Sequence, residues 1–509
     1  MLALIPTRRG AASGRASWRV AVAAALAAAT ALGGCVPNAV VPDTTLDVPG
    51  SYRYAAPKDG GAPLEDHATD WWRTFRSPEL TRFMEATEIQ NLDIAAAIGQ
   101  VEQADALVRQ SGAALLPSIT ANDQVTRAKS SGALLGGGGG SSGGSSVAVV
   151  GAGASRSNSA YTTLVSSFSA SYQLDFWGKN RATYKAAQDN ATANRWNRQT
   201  VQLTSLASTA TTYYTILATR ERIAYARQNI KASSDILKLI QLRQTAGTAT
   251  DLDVAQQAAL VANLKASIPP LEVTEAQNIA ALAVLLGNAP EHVEVAARSV
   301  LKAPMPVIAP GIPSEVLTRR PDVEFAEASL SSAHGNLVAA RAAFFPQLNL
   351  TAQGGFESLA LKTLFSPAST FYTAAFSLAQ PIFDGGLLQG QFDQQKGIQD
   401  QLVAQYKKAV VTAFSDVDKA LAAVKLYAEQ EELTRQSLVA SQRAFQLSQD
   451  RLKQGVLDVV TLLQTEQTLF TTQDTLIQAR LLRFTEAIAL YQALGGAYAG
   501  RAKETKGGT

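Results

Sequence analysis

Two glycines, Gly247 and Gly455, each stand at the end of a helical run too long for an ordinary globule. They are 455 − 247 = 208 positions apart. Between Gly178 and Gly247 there is no proline or further glycine, and between Gly386 and Gly455 only Gly390 and Gly397 intervene. Each run predicts a helix of up to about 67 residues, roughly 100 Å at 1.5 Å per residue. Val410, Phe414, Val417, Leu421, Val424 and Ala428 give alternating steps of four and three, the seam of a coiled coil. Leu203, Leu206, Ala210, Tyr213 and Leu217 give the same seam in the first run, and Leu438, Phe445 and Leu452 resume it later in the second. At Leu242–Asp253 and Leu452–Gln464 the glycine ends one apolar-periodic run and another begins, so both stretches predict tight turns between antiparallel helices. The return helices, Asp251–Leu286 and Asp458–Leu494, are shorter, and Pro269-Pro270 interrupts the first.

The offset of 208 recurs. It relates Leu174–Gly178 to Ile382–Gly386 and Leu286-Gly287 to Leu494-Gly495. Upstream, Asp93 precedes Pro117 by the same 24 positions that separate Asp322 from Pro346. There the offset is 322 − 93 = 229, so the first copy holds 229 − 208 = 21 extra residues, which appear as the Gly/Ser-rich tract 130–153. No Gly-Lys-Ser/Thr follows that tract, and it reads as a surface loop and not a phosphate cradle. Trp71–Pro117 and Asp322–Pro346 are expected to be helical. The chain is therefore a tandem duplication of helix, two strands, long helix, turn and helix.

The strands alternate. Leu164, Ser166, Phe168, Ala170, Tyr172, Leu174 and Phe176 fall on one side, against Val165, Ser167, Ser169, Ser171, Gln173 and Asp175 on the other. After Pro346, Leu348, Leu350, Ala352 and Phe356 alternate with Gln347, Asn349, Thr351 and Gln353. Ile119–Val125 and Tyr372–Ile382 complete two hairpins with weaker patterns. A period of two over about 9–11 residues suits a transmembrane strand as well as a half-buried one. Hydrocarbon does not tolerate an open sheet edge, and a filled barrel takes about eight strands. If these strands span a membrane, several copies share one barrel; strand count leaves two or three copies open.

The first residues are a targeting segment. Arg8, Arg9, Arg15 and Arg19 precede the apolar run Val20–Leu32, which has the length of a signal peptide. It ends in Leu-Gly-Gly-Cys at Cys35, the only cysteine of the chain, and this resembles a bacterial lipobox. Lipidation at Cys35 would supply a stable anchor. Val36, which is not aspartate, implies by the same resemblance delivery to the outer membrane. The expected organisation is a lipoprotein signal peptide (1–34), a lipid-anchored extended segment (35–70), a first repeat (71–300), a second repeat (301–498) and a polar tail (499–509). One cysteine and three scattered histidines argue against a Cys/His metal site or catalytic pair. The basic residues form no patch for nucleic acid, and no nucleophile–base constellation stands out.

Ile312–Val323 (IPSEVLTRRPDV), Ala326-Glu327, Ala342–Pro346, and Trp72, Phe75, Pro78 and Leu80 together resemble the outer-membrane efflux protein (TolC-like outer membrane factor) family, in its lipidated NodT/OprM-type branch. The resemblance covers nearly all of Trp71–Tyr498. It implies a mixed, mostly helical fold: a homotrimeric, twelve-stranded transmembrane β-barrel continued by a periplasmic α-helical coiled-coil tunnel. It also implies a passive conduit without cofactor, working with a periplasmic adaptor protein and an inner-membrane pump of the RND type to expel drugs or other small solutes. In the family, leucine and aspartate rings near the second hairpin turn close the tunnel. Val460 stands where a leucine is usual, Gln464 where many relatives have aspartate, and Thr461 at a second, less general aspartate position. An aspartate ring is thus not expected here. Val460, Thr461 and Gln464 are the expected gate, held more by packing and amide contacts than by bound cations. The turns bearing Gly247, Asp251, Asp253, Gly455 and Asp458 are the expected acidic, adaptor-docking tips. Two other readings stay open: the outer-membrane channel of a type I protein secretion system, and a periplasmic lipoprotein scaffold that forms no channel.

Overall fold

A computed structural model of the chain describes residues 37–46, 52–54, 70–129, 160–306 and 319–496. Cys35, the Gly/Ser-rich tract 130–153, residues 312–318 of the family motif and the tail 499–509 lie outside the described residues. In chain order the elements are α1 (Pro78–Gln90), α2 (Leu92–Ala113), β1 (Ser118–Ala128), β2 (Tyr161–Leu174), α3 (Lys179–Thr245), α4 (Asp251–Ala266) and α5 (Ile268–Leu285). They continue as α6 (Pro321–Ala342), β3 (Gln347–Ser358), β4 (Thr370–Ala379), α7 (Leu387–Lys453) and α8 (Val459–Ala493).

The two breaker-free runs are α3 and α7, each a single helix of 67 residues. Pro269 and Pro270 do end the first return helix, and Ser267 separates α4 from α5. One expectation needs correcting. Trp71–Pro117 is not one helix but a 3-10 turn at Trp71–Phe75 followed by α1 and α2. Pro78 lacks an N–H and starts a helix more readily than it continues one, and Ser77 accepts from the Leu80 N–H at 3.2 Å as its cap. Asn91 then leaves helical geometry at ψ 129, and its Oδ1 accepts from the N–H groups of Asp93 and Ile94 at 2.9 and 3.0 Å. That buried asparagine caps α2 while its Nδ2 donates to the Leu285 carbonyl at 2.8 Å. The second strand also stops at Leu174, short of Phe176, and β4 stops at Ala379, short of Ile382.

The chain forms two compact units, each drawing segments from both repeats. The first, 1–41 with 107–187 and 333–399, holds one four-stranded antiparallel sheet in the order β1-β2-β3-β4. Trp177 stacks on Phe345 at 4.6 Å below the strands and donates from Nε1 to the Pro346 carbonyl at 2.8 Å. In this unit Gln399 Nε2 also holds the Val40 carbonyl at 3.4 Å.

The second unit, 42–106 with 188–332 and 400–509, is a helical assembly with an aromatic centre. Tyr214 stacks on Phe484 at 4.1 Å and Trp71 on Tyr491 at 5.1 Å, with Phe75 fully buried beside them. Leu206, Ala210, Tyr213 and Leu217, the seam read in the first run, belong to this core. Val417 and Leu421, from the seam of the second run, pack with Leu490 and Leu494 of the return segment.

Candidate functional site

Two features of this fold have functional geometry: the faces of the sheet, and the tips of the helical hairpins. In an antiparallel pair, directly opposed residues project to the same side. Phe168 opposes Ala121 and Gly354, Ala170 opposes Ile119 and Ala352, and Leu350 opposes Tyr172 and Phe376. One side therefore gathers most of the apolar residues of all four strands, including those of β1 and β4 whose own alternation is weak; Asp123 and Ser166 interrupt it, and Phe371 falls on the other side. These side chains face outward: Phe168 is 67% exposed, Ile119 71% and Tyr372 89%. The opposite side carries Thr120, Ser169 and Gln353 in one row and Asn122 and Ser167 in the next. There Thr120 Oγ1 and Ser169 Oγ lie 2.6 Å apart, and Gln353 Nε2 donates to Ser167 Oγ at 3.1 Å. Ser167 is 3% exposed, but Thr120, Asn122, Thr351 and Gln353 on the same side are exposed, so among the described residues both faces are open. An uncovered apolar face is unlike a soluble sheet, where that face packs on a core and only the polar face meets solvent.

Among the described residues, β1 pairs only with β2 and β4 only with β3, so the sheet has two free edges. Unpaired amides on such an edge cost several kcal/mol each in hydrocarbon, and water does not favour a contiguous exposed apolar face of this extent. The sheet is complete only when its edges meet further strands.

At the hairpin tips both glycines take the left-handed conformation, φ 76° at Gly247 and at Gly455, which only glycine adopts without strain. Each closes the same double-bonded helix ending. Thr248 N–H donates to the Arg243 carbonyl at 2.8 Å and Gly247 N–H to Gln244 at 2.9 Å; Val456 donates to Arg451 at 3.1 Å and Gly455 to Leu452 at 2.9 Å. Thr250 and Asp253 cap α4 reciprocally. Asp458 caps α8, accepting from Thr461 N–H at 2.7 Å and from its Oγ1 at 2.9 Å. Those two bonds, backbone first, hold the Asp458 carboxyl below the usual carboxylate range. Asp251 accepts from Gln244 Nε2. The acidic residues of the tips thus serve the turns themselves, and Thr461 is engaged in a cap.

Val460 and Gln464 are different. They stand four residues apart on one face of α8, both exposed, Val460 at 57%. Behind them Val459, Leu462 and Leu469 pack on Ile236 and Ile240 of α3 and on Phe445 and Leu452 of α7. This shared core joins the two tips, and Arg243 Nη1 adds a 2.8 Å bond to the Leu452 carbonyl. Sequence reading missed a polar pair inside that core. Glu466 is fully buried, accepting from Ser233 Oγ and, at 3.2 Å, from Gln257 Nε2; burial raises its pKa. One helical repeat on, Gln473 accepts from Asn229 Nδ2 at 3.0 Å. The signal was present: Val459, Leu462, Glu466, Leu469, Gln473 and Leu476 are spaced 3, 4, 3, 4, 3, so two polar residues occupy seam positions.

Comparison with known proteins agrees with this geometry. The family model for outer membrane efflux protein matches residues 84–288 and 312–496. The chain is 35% identical over 473 residues to the pyoverdine export outer membrane protein OpmQ of Pseudomonas aeruginosa, covering 93% of this chain and 96% of that one. It is 28% identical over 479 residues to the toluene efflux pump outer membrane protein TtgC of Pseudomonas putida, covering 92% and 93%. Among solved structures it is similar to the outer-membrane channel OprN, with a TM-score of 0.79 at 22% identity over 90% of this chain and 99% of that one. It is equally similar to the Campylobacter jejuni CmeC outer membrane channel, with a TM-score of 0.79 at 20% identity over 92% and 96%. The apolar-faced sheet and the long helical hairpins agree with these matches, which show that the chain belongs to the outer membrane efflux protein family and is an outer-membrane component of an efflux system.

Proposed function

We propose that three copies of this chain join edge to edge, β4 of one to β1 of the next, as a closed twelve-stranded barrel whose apolar face meets lipid. The observation that carries this is the four-stranded sheet with an exposed apolar face and two free edges. Closure satisfies every edge amide, and four strands are too few to close alone. The two repeats, 71–300 and 301–498, then supply equivalent strand pairs and hairpins to a helical tunnel. The protein acts as a passive conduit and not as an enzyme, receiving drugs or other small solutes from an inner-membrane pump, of the RND type, through a periplasmic adaptor docked on the tips at Gly247 and Gly455.

Cys35 carries the lipid anchor. It lies five residues before Val40, which Gln399 holds in the sheet-bearing unit. The intervening chain reaches at most about 17 Å, so the acyl chains enter the membrane close to that unit. Val460 and Gln464 narrow the bore at the tips, supported by the apolar core behind them.

Purified full-length protein should run as a trimer band that dissociates on heating and should conduct in planar bilayers. Val460→Ser and Gln464→Ser should each raise conductance. A chain that stays monomeric and forms no pore would leave only the scaffold reading. Pores whose conductance ignores both substitutions would remove the gate from these residues.

A further inference from the structure

The wall of the conduit has a chemistry of its own. On α8 the exposed stripe that begins at the gate continues through Gln467, Thr471, Thr475 and Gln478, all within about 100° of the helix circumference at 100° per residue. No residue of the stripe from Val460 to Leu482 is charged. The charged residues of α8 sit elsewhere: Glu466 is buried, Asp474 flanks the stripe and is paired with Arg222 at 2.5 Å, and Arg480 and Arg483 both bind Glu431 at 3.0 Å. Glu486 lies beyond Leu482, in a cavity shared with Arg320 and Lys419.

The sheet repeats this independently. Its polar face, read from the register, carries mostly Ser, Thr, Asn and Gln, with Phe371, Val165 and Ala375 among them and Glu357, opposite Val165, as its one charge among the described residues. Along the whole of residues 118–174 and 347–379, loops included, the acidic residues are Asp123 and Glu357 and the basic ones Arg127, Lys129, Arg156 and Lys362. The balance is 4 − 2 = +2 per copy, although Asp123 and Arg127 fall on the apolar face by register.

We propose that along the α8 stripe and the polar sheet face this conduit is walled mainly by hydroxyls and amides, with Glu429 beside Thr475 and Glu357 on the sheet as its carboxylates, so that it does not strongly select cations and passes anionic solutes. The inference rests on the reading that Val460 and Gln464 face the bore and that the polar sheet face lines the barrel. Hydroxyls and amides replace hydration water through either a donor or an acceptor, so they solvate both signs of charge. A carboxylate ring, repeated in every copy, would place several like charges around a narrow path and exclude anions. The cargo class that fits is a solute with many hydrogen-bonding groups, anionic ones included, because the wall sets no requirement on the sign of charge.

The test is the reversal potential of the wild-type trimer in a planar bilayer under a KCl gradient, beside Thr471→Asp and Asn122→Asp, each verified to form the heat-dissociable trimer. Wild type should show potassium and chloride permeabilities within about twofold of each other, and each aspartate should raise the potassium preference at least about threefold. Thr471→Cys, in a chain whose only other cysteine is Cys35, should lose conductance on reaction with a charged methanethiosulfonate. Strong cation selectivity in wild type, or aspartates that leave the permeability ratio unmoved, would overturn the proposal. Unchanged conductance in Val460→Ser and Gln464→Ser would instead remove the gate reading, which the permeability ratio of the wall does not measure.

Discussion

Arg243 reaches from the last turn of α3 to the carbonyl of Leu452 in the last turn of α7, 209 residues away, and binds it at 2.8 Å. The same carbonyl accepts from Gly455 N–H at 2.9 Å. One helix C-terminus therefore receives a cation from its structural twin, where the helix dipole favours positive charge. The bond couples the two tips directly, in addition to the apolar core beneath them. Arg243→Gln should cost about 1–2 kcal/mol at this contact, as for a charge-assisted hydrogen bond. Amide exchange should accelerate at Leu452–Asp458, and channels should show more frequent open events in bilayer recordings. Unaltered exchange in that stretch would mean the apolar core alone sets the tip.

The glycine at each tip is required by backbone geometry and not by space. Nothing approaches a Cβ built on Gly247, and on Gly455 only Arg243 comes within 3.9 Å. Gly247→Ala and Gly455→Ala should therefore each cost about 1 kcal/mol, the strain of a left-handed alanine. The two should be similar in size, because both glycines have φ 76°. Thermal denaturation of the trimer, with the double variant close to additive, checks this.

Much of this molecule was legible in its sequence. The proline-free runs became α3 and α7, ending two positions before Gly247 and Gly455, because the seams bury them and Gly390 and Gly397 do not break the second. The hairpin strands were legible from alternation in β2 and β3. The apolar face of β1 and β4 was not, since Asp123 interrupts one and small alanines dilute the other; only the register assigns their faces. Asn91 was hidden because a polar residue in a helical pattern reads as surface, whereas here it is buried and divides two helices. At the tips the acidic residues were legible as types but not as roles. Asp253 and Asp458 turn out to be caps, a use set by local backbone geometry three residues away.

Glu431 shows how a buried carboxylate is kept ionised. Burial alone would raise its pKa, but hydrogen bonds and charge from Arg483 and Arg480 outweigh that and leave it lowered. Arg435 adds a 2.9 Å contact, and the Arg480 guanidinium lies 5.1 Å over the Phe484 ring. A carboxyl whose folded pKa is depressed stabilises the fold above its unfolded pKa, and that contribution is lost as pH falls through the folded value. Glu431→Gln should leave two poorly exposed guanidiniums short of charge and destabilise the helical unit by about 3 kcal/mol, as breaking a buried pair does. Melting curves at neutral pH should show the loss, and the gap from wild type should narrow as the medium is made strongly acidic.

Glu466 is the opposite case, and its sign differs. Burial raises its pKa, and the donors Ser233 and Gln257 offset that only in part. With no cation among its recorded hydrogen-bond partners, the folded protein binds a proton here more tightly than the unfolded chain does. Stability of the tip should then be greatest below the unfolded glutamate pKa and fall as pH rises through the raised folded value. Glu466→Gln keeps the shape and removes the charge. The Ser233 hydroxyl, now a donor to the carboxylate, can turn to accept from the new amide, while Gln257 Nε2 keeps its bonds to the Ser233 carbonyl and to the remaining side-chain oxygen. The variant should be the more stable protein at neutral pH, by about 1 kcal/mol for each pH unit of raised pKa. It should also lose the dependence of tip amide exchange on pH between mildly acidic and neutral buffer. Equal pH dependence in wild type and variant would show that this carboxyl does not titrate in that window.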